Sequence, residues 1–383
     1  MRPRVGSPAA AVGLPAVLVL AGCSIGEVRR TPPERTVPSV EAAVPTDAPG
    51  DVEVRPMRVP VPAYYDAPHI AFDNADHGYA LFAGCTRSPA GDPVPCPPLL
   101  FVTFDGGESW QRRDHPAPYV AEHSMQVGYG SLVLSAGTDW YRSLDGGASF
   151  TRSTSPEGWM PPEFASVDGP YQVCCQPEPE AQVVEVTEHG RTPLAQQPAI
   201  PVVQTVGHLG GKLTVAGLRD GRLHVGYGVL MARLDDRGVA ETGWQWQTDA
   251  ITIAEPEEIR RVVVRVAPSG ERWLIAERVP GEFPLVWRVN GTQLEQLPVV
   301  SPPANVVSVL PSDDSRLLVT TRDGVGAIGS DGRYEPIDWP ARGASLTRLR
   351  DGTVLASRSE GGVMLGPAQL SAAGWVQVSW APS

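Results

Sequence analysis

The sequence has one lysine, Lys212, among 31 basic residues, and only 19% of its 383 residues are charged and 7% aromatic. Acidic residues outnumber basic ones, 43 to 31, for a net charge of -12. That balance argues against a general attraction to phosphate backbones, so nucleic acid is not an expected partner. Using arginine for nearly every cation points to a GC-rich genome and says nothing about function. No heptad persists and glycine has no period of three, which excludes coiled-coil and collagen-like chains. No convincing amphipathic helix is found. H-x-H, H-E-x-x-H, G-x-S-x-G, Walker and dinucleotide patterns are all missing, so neither a cofactor nor a designed metal site is expected. The seven histidines, His69, His77, His115, His123, His189, His208 and His224, are scattered.

Glycine and proline are abundant, 40 of each, together a fifth of the chain, while 42% of residues are hydrophobic. The chain can bury a large core, but it is punctuated too often for long helices. Short apolar runs alternate with turn residues from about Pro62 onward: Tyr79 to Phe82, Leu99 to Phe104, Ser131 to Ser135, Val262 to Val266, Arg316 to Thr320 and Thr353 to Ala356. Such runs predict strands, several of them buried on both faces.

The first residues have a different character. Arg2 and Arg4 precede an apolar stretch from Ala9 to Leu20, too short for a permanent span, which predicts a signal peptide over 1–22. Leu20-Ala21-Gly22-Cys23 resembles the lipobox of bacterial lipoproteins. That resemblance implies cleavage before Cys23, lipidation of its thiol, and a place on the extracytoplasmic face of the cell membrane. Losing Arg2 and Arg4 takes the charge from -12 to -14. Pro32, Pro33, Pro38, Pro45 and Pro49 then mark a proline-rich tether over 23–60, leaving 61–383 as the folded body.

Two turns in the body share one chemistry. Thr103-Phe104-Asp105-Gly106-Gly107-Glu108-Ser109-Trp110 is followed by Ser143-Leu144-Asp145-Gly146-Gly147-Ala148-Ser149-Phe150. Both resemble the Asp-box, or BNR repeat, of sialidase-like propellers. In such a turn the carboxylates of Asp105 and Asp145 accept N–H groups, Gly107 and Gly147 permit positive φ, and Trp110 and Phe150 pack beneath. Weaker echoes occur at Ser330-Asp331-Gly332, Asp235-Asp236 and Asn290-Gly291, with hairpin turns at Asp220-Gly221, Asp323-Gly324 and Asp351-Gly352. The rhythm predicts an all-β propeller of seven four-stranded blades, near 62–117, 118–160, 161–200, 201–250, 251–301, 302–341 and 342–383. Six or eight blades are the alternatives.

The run from His69 to Cys85 into the first Asp-box resembles the BNR-like propellers of the photosystem assembly factor family, over about residues 68–155. That resemblance implies a binding scaffold without chemistry of its own. The expected function is therefore a monomeric, non-catalytic envelope lipoprotein whose propeller binds a protein or glycan. The alternative is an exo-glycosidase of sialidase type, which needs an arginine trio, a Tyr-Glu pair and an acidic Asp. Arg58, in a faint Phe/Tyr-Arg-Ile-Pro-like match, Arg278, Glu277, Tyr64 or Tyr65, and Asp73 or Asp76 are its candidates.

Four cysteines besides Cys23 predict disulfide chemistry in an oxidising compartment. Cys85 and Cys96 flank a Pro- and Gly-rich loop and are the expected pair. Cys174 and Cys175 are open between free thiols, a vicinal bridge and cross-pairing. Glu178, Glu180, Glu255, Glu257 and Glu258 are expected to be solvated loop charges. Trp244 and Trp246 share a strand face, either to stack sugars or to fill a core between blades.

Overall fold

The computed structural model describes residues 52–85, 96–117, 123–128, 130–137, 139–153, 170–174, 181–187, 190–234, 240–267, 269–312, 315–358, 362–367 and 374–380. The chain divides into Met1–Pro45 and Thr46–Ser383. The signal peptide, Cys23 and the tether as far as residue 51 lie outside the described residues, as do Cys175, Glu178, Glu180, His189, Asp235 and Asp236.

Among the described residues the strands form seven separate sheets, each an antiparallel meander in chain order apart from one added strand on the last. This is the seven-bladed all-β propeller that the turn rhythm predicts. Blade 1 runs from His69–Phe72 through Gly78–Phe82 and Leu99–Thr103 to Gln111–Arg113. The second and third strands are buried along their whole length and the fourth is mostly exposed, because the middle strands are packed by neighbouring blades on both faces. Blades 2 and 4–7 repeat the pattern from His123, Thr205, Arg261, Val306 and Ser345. Blade 3 shows three described strands, Tyr171–Cys174, Gln182–Thr187 and Gly190–Pro193, where four were expected. The one described helix is a 3-10 turn at Pro256–Glu258.

Six hydrophobic clusters each join two neighbouring blades, so the core is a ring of seams rather than one centre. At the remaining seam, between blades 2 and 3, the described cluster is only Cys174 and Val184.

The folded body begins earlier than expected. Glu53–Pro56, assigned to the tether on sequence, is a fifth strand of blade 7, parallel to Val376–Ser379. Met57 and Val61 are buried in the seam between blades 7 and 1. An exposed four-residue edge strand ending in proline leaves no apolar alternation to read, which is why the sequence conceals it.

The meander fixes two faces of the ring. First-to-second and third-to-fourth turns open on one edge, here the box face. Second-to-third turns and blade-to-blade connections open on the other, the linker face.

Candidate functional site

The two turns that resemble Asp-boxes, here called boxes, are locked alike on the box face. In blade 1, Thr103 Oγ1 donates to Asp105 Oδ1 at 2.7 Å and accepts the Gly107 N–H at 2.9 Å. Asp105 also takes the Ser109 N–H at 2.9 Å and the Ser109 hydroxyl at 2.5 Å. In blade 2, Ser143 donates to Asp145 at 2.7 Å and accepts the Gly147 N–H at 2.8 Å. Ser149 gives Asp145 its N–H at 2.9 Å and its hydroxyl at 2.6 Å. Burial works against the Asp105 charge, but hydrogen bonds from Ser109 and Thr103 outweigh it and hold the carboxyl below its usual range. Hydrogen bonds from Ser149 and Ser143 lower Asp145. Trp110 Nε1 donates to the Gly107 carbonyl at 3.2 Å, and Phe150 packs on the core between blades 1 and 2. These carboxylates are committed to the backbone, so the boxes are fasteners.

The sialidase candidates are dispersed. Asp73 ends the first strand of blade 1 on the box face, with its side chain only 1% exposed. It pairs with Arg350 of blade 7 at 3.0 Å and accepts the Gly130 N–H of blade 2 at 3.0 Å. Asp73 is therefore a three-blade fastener, and Asp76 beside it is exposed. Tyr65 is buried, its hydroxyl donating to the Pro97 carbonyl at 2.8 Å, with Tyr64 stacked on its ring. Arg58 is exposed. Glu277 and Arg278 close the second strand of blade 5 on the linker face, at the opposite edge of the ring from Asp73.

Around Glu277 and Arg278 the chain builds a cleft of about 450 Å³ between blades 5 and 6. One wall carries Arg260, Arg261 and Arg278; the other is Val306 to Val309, the innermost strand of blade 6. Three backbone irregularities meet here. Asn305 has φ +56° and Gly281 φ +93°, and the Val306 N–H donates to the Gly281 carbonyl at 3.0 Å. The pairing register then slips between Val306 and Ser308, a bulge that leaves Val307 41% exposed, close to Val279 at 43%. Bulges and left-handed non-glycine residues concentrate where a strand must re-aim a side chain.

The charges of the cleft are organised. Both carboxylate oxygens of Glu277 accept from one edge of the Arg261 guanidinium, from Nη2 at 2.6 Å and Nε at 3.0 Å. Arg278 is held by Glu258, by Glu255 at 3.4 Å and by Glu282 at 3.3 Å. Glu255 and Glu258, expected to be solvated loop charges, flank and belong to the 3-10 turn that delivers them to Arg278. Arg260 is exposed and has no ion pair among the described residues. Glu277 and Arg278, named on sequence as glycosidase candidates, line this cleft together with Arg260, Arg261 and Val307, which the sequence did not single out. Nothing local marks them, because the cleft is made by two blades.

Trp244 is buried between blades 3 and 4, and Trp246 covers Gly228 while its Nε1 donates to the Gln196 carbonyl at 2.8 Å. The core alternative holds for this pair. Cys85 and Cys96 are disulfide-bonded, with Cα atoms 6.1 Å apart. Cys174 is also a disulfide cysteine, and cross-pairing with that bridge is excluded because both its cysteines are used. Among the described residues no group of three or more His, Cys, Asp or Glu is placed to hold a metal.

No protein-family model matches the chain, and no curated protein matches it. Solved structures similar to it include PorZ, a bacterial surface component of the type-IX secretion system of Porphyromonas gingivalis. That match has 14% identity and a TM-score of 0.42 over 83% of this chain and 38% of PorZ, so the chain spans well under two thirds of PorZ. YCF48 from Cyanidioschyzon merolae matches at 17% identity and TM-score 0.31, over 83% of this chain and 86% of that one. Apo AztD from Citrobacter koseri matches at 13% and 0.38, over 82% and 87%. At these identities the likeness concerns the fold alone. By its own sheet topology the chain is a seven-bladed β-propeller, closed by a parallel fifth strand on its last blade.

Proposed function

We propose that the protein is a lipid-anchored binding propeller on the extracytoplasmic face of a bacterial membrane, an Asp-box scaffold without catalysis of its own. Its cleft between blades 5 and 6 receives a protein or glycan partner. The observation that carries this reading is the pairing in that cleft of two exposed valines, Val279 and Val307, with arginines that salt bridges hold in place. Arginine is enriched in binding hot spots, and the valines beside it offer apolar area for a partner to cover. The carboxylates lining the cleft, Glu277 and Glu282, are each engaged by an arginine, which suits holding a ligand better than transferring a proton to it. Anchoring rests on the Leu20-Ala21-Gly22-Cys23 lipobox.

Cross-linking in intact envelopes tests the cleft: a partner captured by the native chain should be lost from Val279→Asp and Val307→Asp chains, and equal capture by both overturns the assignment. Cys23→Ser should release the protein from the membrane fraction; unchanged retention rejects the anchor. Turnover of fluorogenic sialosides that Arg58→Ala abolishes would replace the scaffold reading with the glycosidase.

A further inference from the structure

Blade 6 carries a second depression on the linker face, about 490 Å³, separate in lining from the cleft above. Its floor depends on one glycine. A Cβ at Gly326 would lie 2.4 Å from the Tyr334 ring, so only a bare backbone lets that ring lie flat across the sheet. Its far wall is the connection to blade 7, drawn in where the Gly343 N–H donates to the Thr321 carbonyl at 2.7 Å. Pro303, Tyr334, Pro336, Ile337 and Trp339 make the apolar lining. Trp339 is 5% exposed, fixed edge-on against Trp375 with ring centroids 4.9 Å apart, and its indole N–H is buried with no acceptor among the described residues. A buried indole N–H ordinarily finds an acceptor.

Three charged residues line the groove, Asp323, Asp338 and Arg342. All are exposed, and none has an ion pair among the described residues. Two carboxylates against one guanidinium leave the rim negative by one charge.

We propose that this groove docks an extended, proline-rich segment of a partner protein that also carries arginine. Proline suits the lining because a polyproline II strand is preformed, packs its rings on aromatic and proline surfaces, and offers carbonyls that need donors. Arginine suits the rim because Asp323 and Asp338 outnumber Arg342, and a guanidinium fits a carboxylate with two parallel hydrogen bonds. This goes beyond the reading of the blade 5–6 cleft and does not depend on it.

The test is binding of a synthetic peptide, Arg-Arg-Thr-Pro-Pro-Glu-Arg-Thr-Val-Pro, to the full-length chain, followed by calorimetry. This is the sequence of residues 29–38 of the chain itself, which supplies the required chemistry. Saturable binding is expected, weakened about tenfold or more when the peptide prolines become alanine and by a similar factor in the Asp323→Asn/Asp338→Asn chain. Both aspartates are exposed, so that chain should unfold at the native temperature. The Val307→Asp chain should bind the peptide as the native chain does, which separates this groove from the other cleft. No saturation by about 1 mM, or equal binding of the alanine peptide or of the double variant, overturns the proposal. If instead Pro32→Ala/Pro33→Ala in the full-length chain tightens peptide binding about tenfold, the groove belongs to the chain's own tether, and the partner assignment fails.

Discussion

Arg55 reaches from the closing strand of blade 7 to the Gly106 carbonyl in the box turn of blade 1, 3.1 Å from its Nη1. The same nitrogen donates to the Asp105 carbonyl at 3.0 Å. One blade further on the device recurs: Arg113, on the outer strand of blade 1, donates from Nε to the Gly146 carbonyl of the second box at 3.1 Å. Each box is thus locked internally by its aspartate and externally by an arginine from the preceding blade. A Cβ at Gly106 would stand 2.7 Å from Arg55 Nη1, so glycine is needed there for the approach as well as for φ +67°.

Arg55→Ala should therefore loosen the ring at its closure. The two hydrogen bonds predict a loss of about 1–3 kcal/mol in urea unfolding. Arg55→Lys should recover only part of it, because an ammonium cannot present the planar fork that spans two carbonyls and Glu108.

The boxes predict acid sensitivity. Asp105 and Asp145 both titrate below the ordinary carboxylate value in the folded state, so the unfolded chain takes up protons first as pH falls. Their contribution is complete above about pH 4 and is lost as pH drops through the folded values. The urea midpoint should fall between pH 5 and pH 3, and Asp105→Asn/Asp145→Asn should start lower at pH 7 and fall less.

His115 acts in a higher window. Burial pushes its imidazole down to about 4, its contact with His123 adds to this, and the Ala117 carbonyl works the other way. It is neutral in the fold at pH 7. The unfolded residue, near 6.5, gains a proton first on acidification. Its stabilisation is present above about pH 6.5 and is lost toward pH 4; His115→Asn should flatten the stability profile across that interval. An unchanged slope contradicts the assignment.

Asp73 holds blades 1, 2 and 7 through one carboxylate. Asp73→Ala leaves Arg350 and the Gly130 N–H without their acceptor. Because Arg350 is 42% exposed and can rehydrate, the expected cost is about 1–3 kcal/mol rather than that of a fully buried pair. Hydrogen exchange should quicken at Gly130 and around Arg350 together, since both lose the same acceptor.

The residues that were legible beforehand are those whose partners lie close in the chain. Each box turn is complete within eight residues, and its hydrogen bonds run no further than from Thr103 to Gly107 or from Asp105 to Ser109. Cys85 and Cys96 are eleven apart. Turn chemistry and strand periodicity are local, so seven blades, with six or eight as alternatives, and approximate divisions between them could be read from the sequence.

What decided the rest was closure of the ring. Asp73 meets Arg350, Glu53–Pro56 pairs with Val376–Ser379, and Arg55 finds Gly106, all across distances in sequence that no local pattern signals. The blade 5–6 cleft likewise exists only because a bulged inner strand lies beside the end of a strand from its neighbour. A repeat specifies its own sheet, through alternation and turns. Its seams and clefts are specified by pairs of repeats, and the seam between the first and last blades forms only when the ring closes.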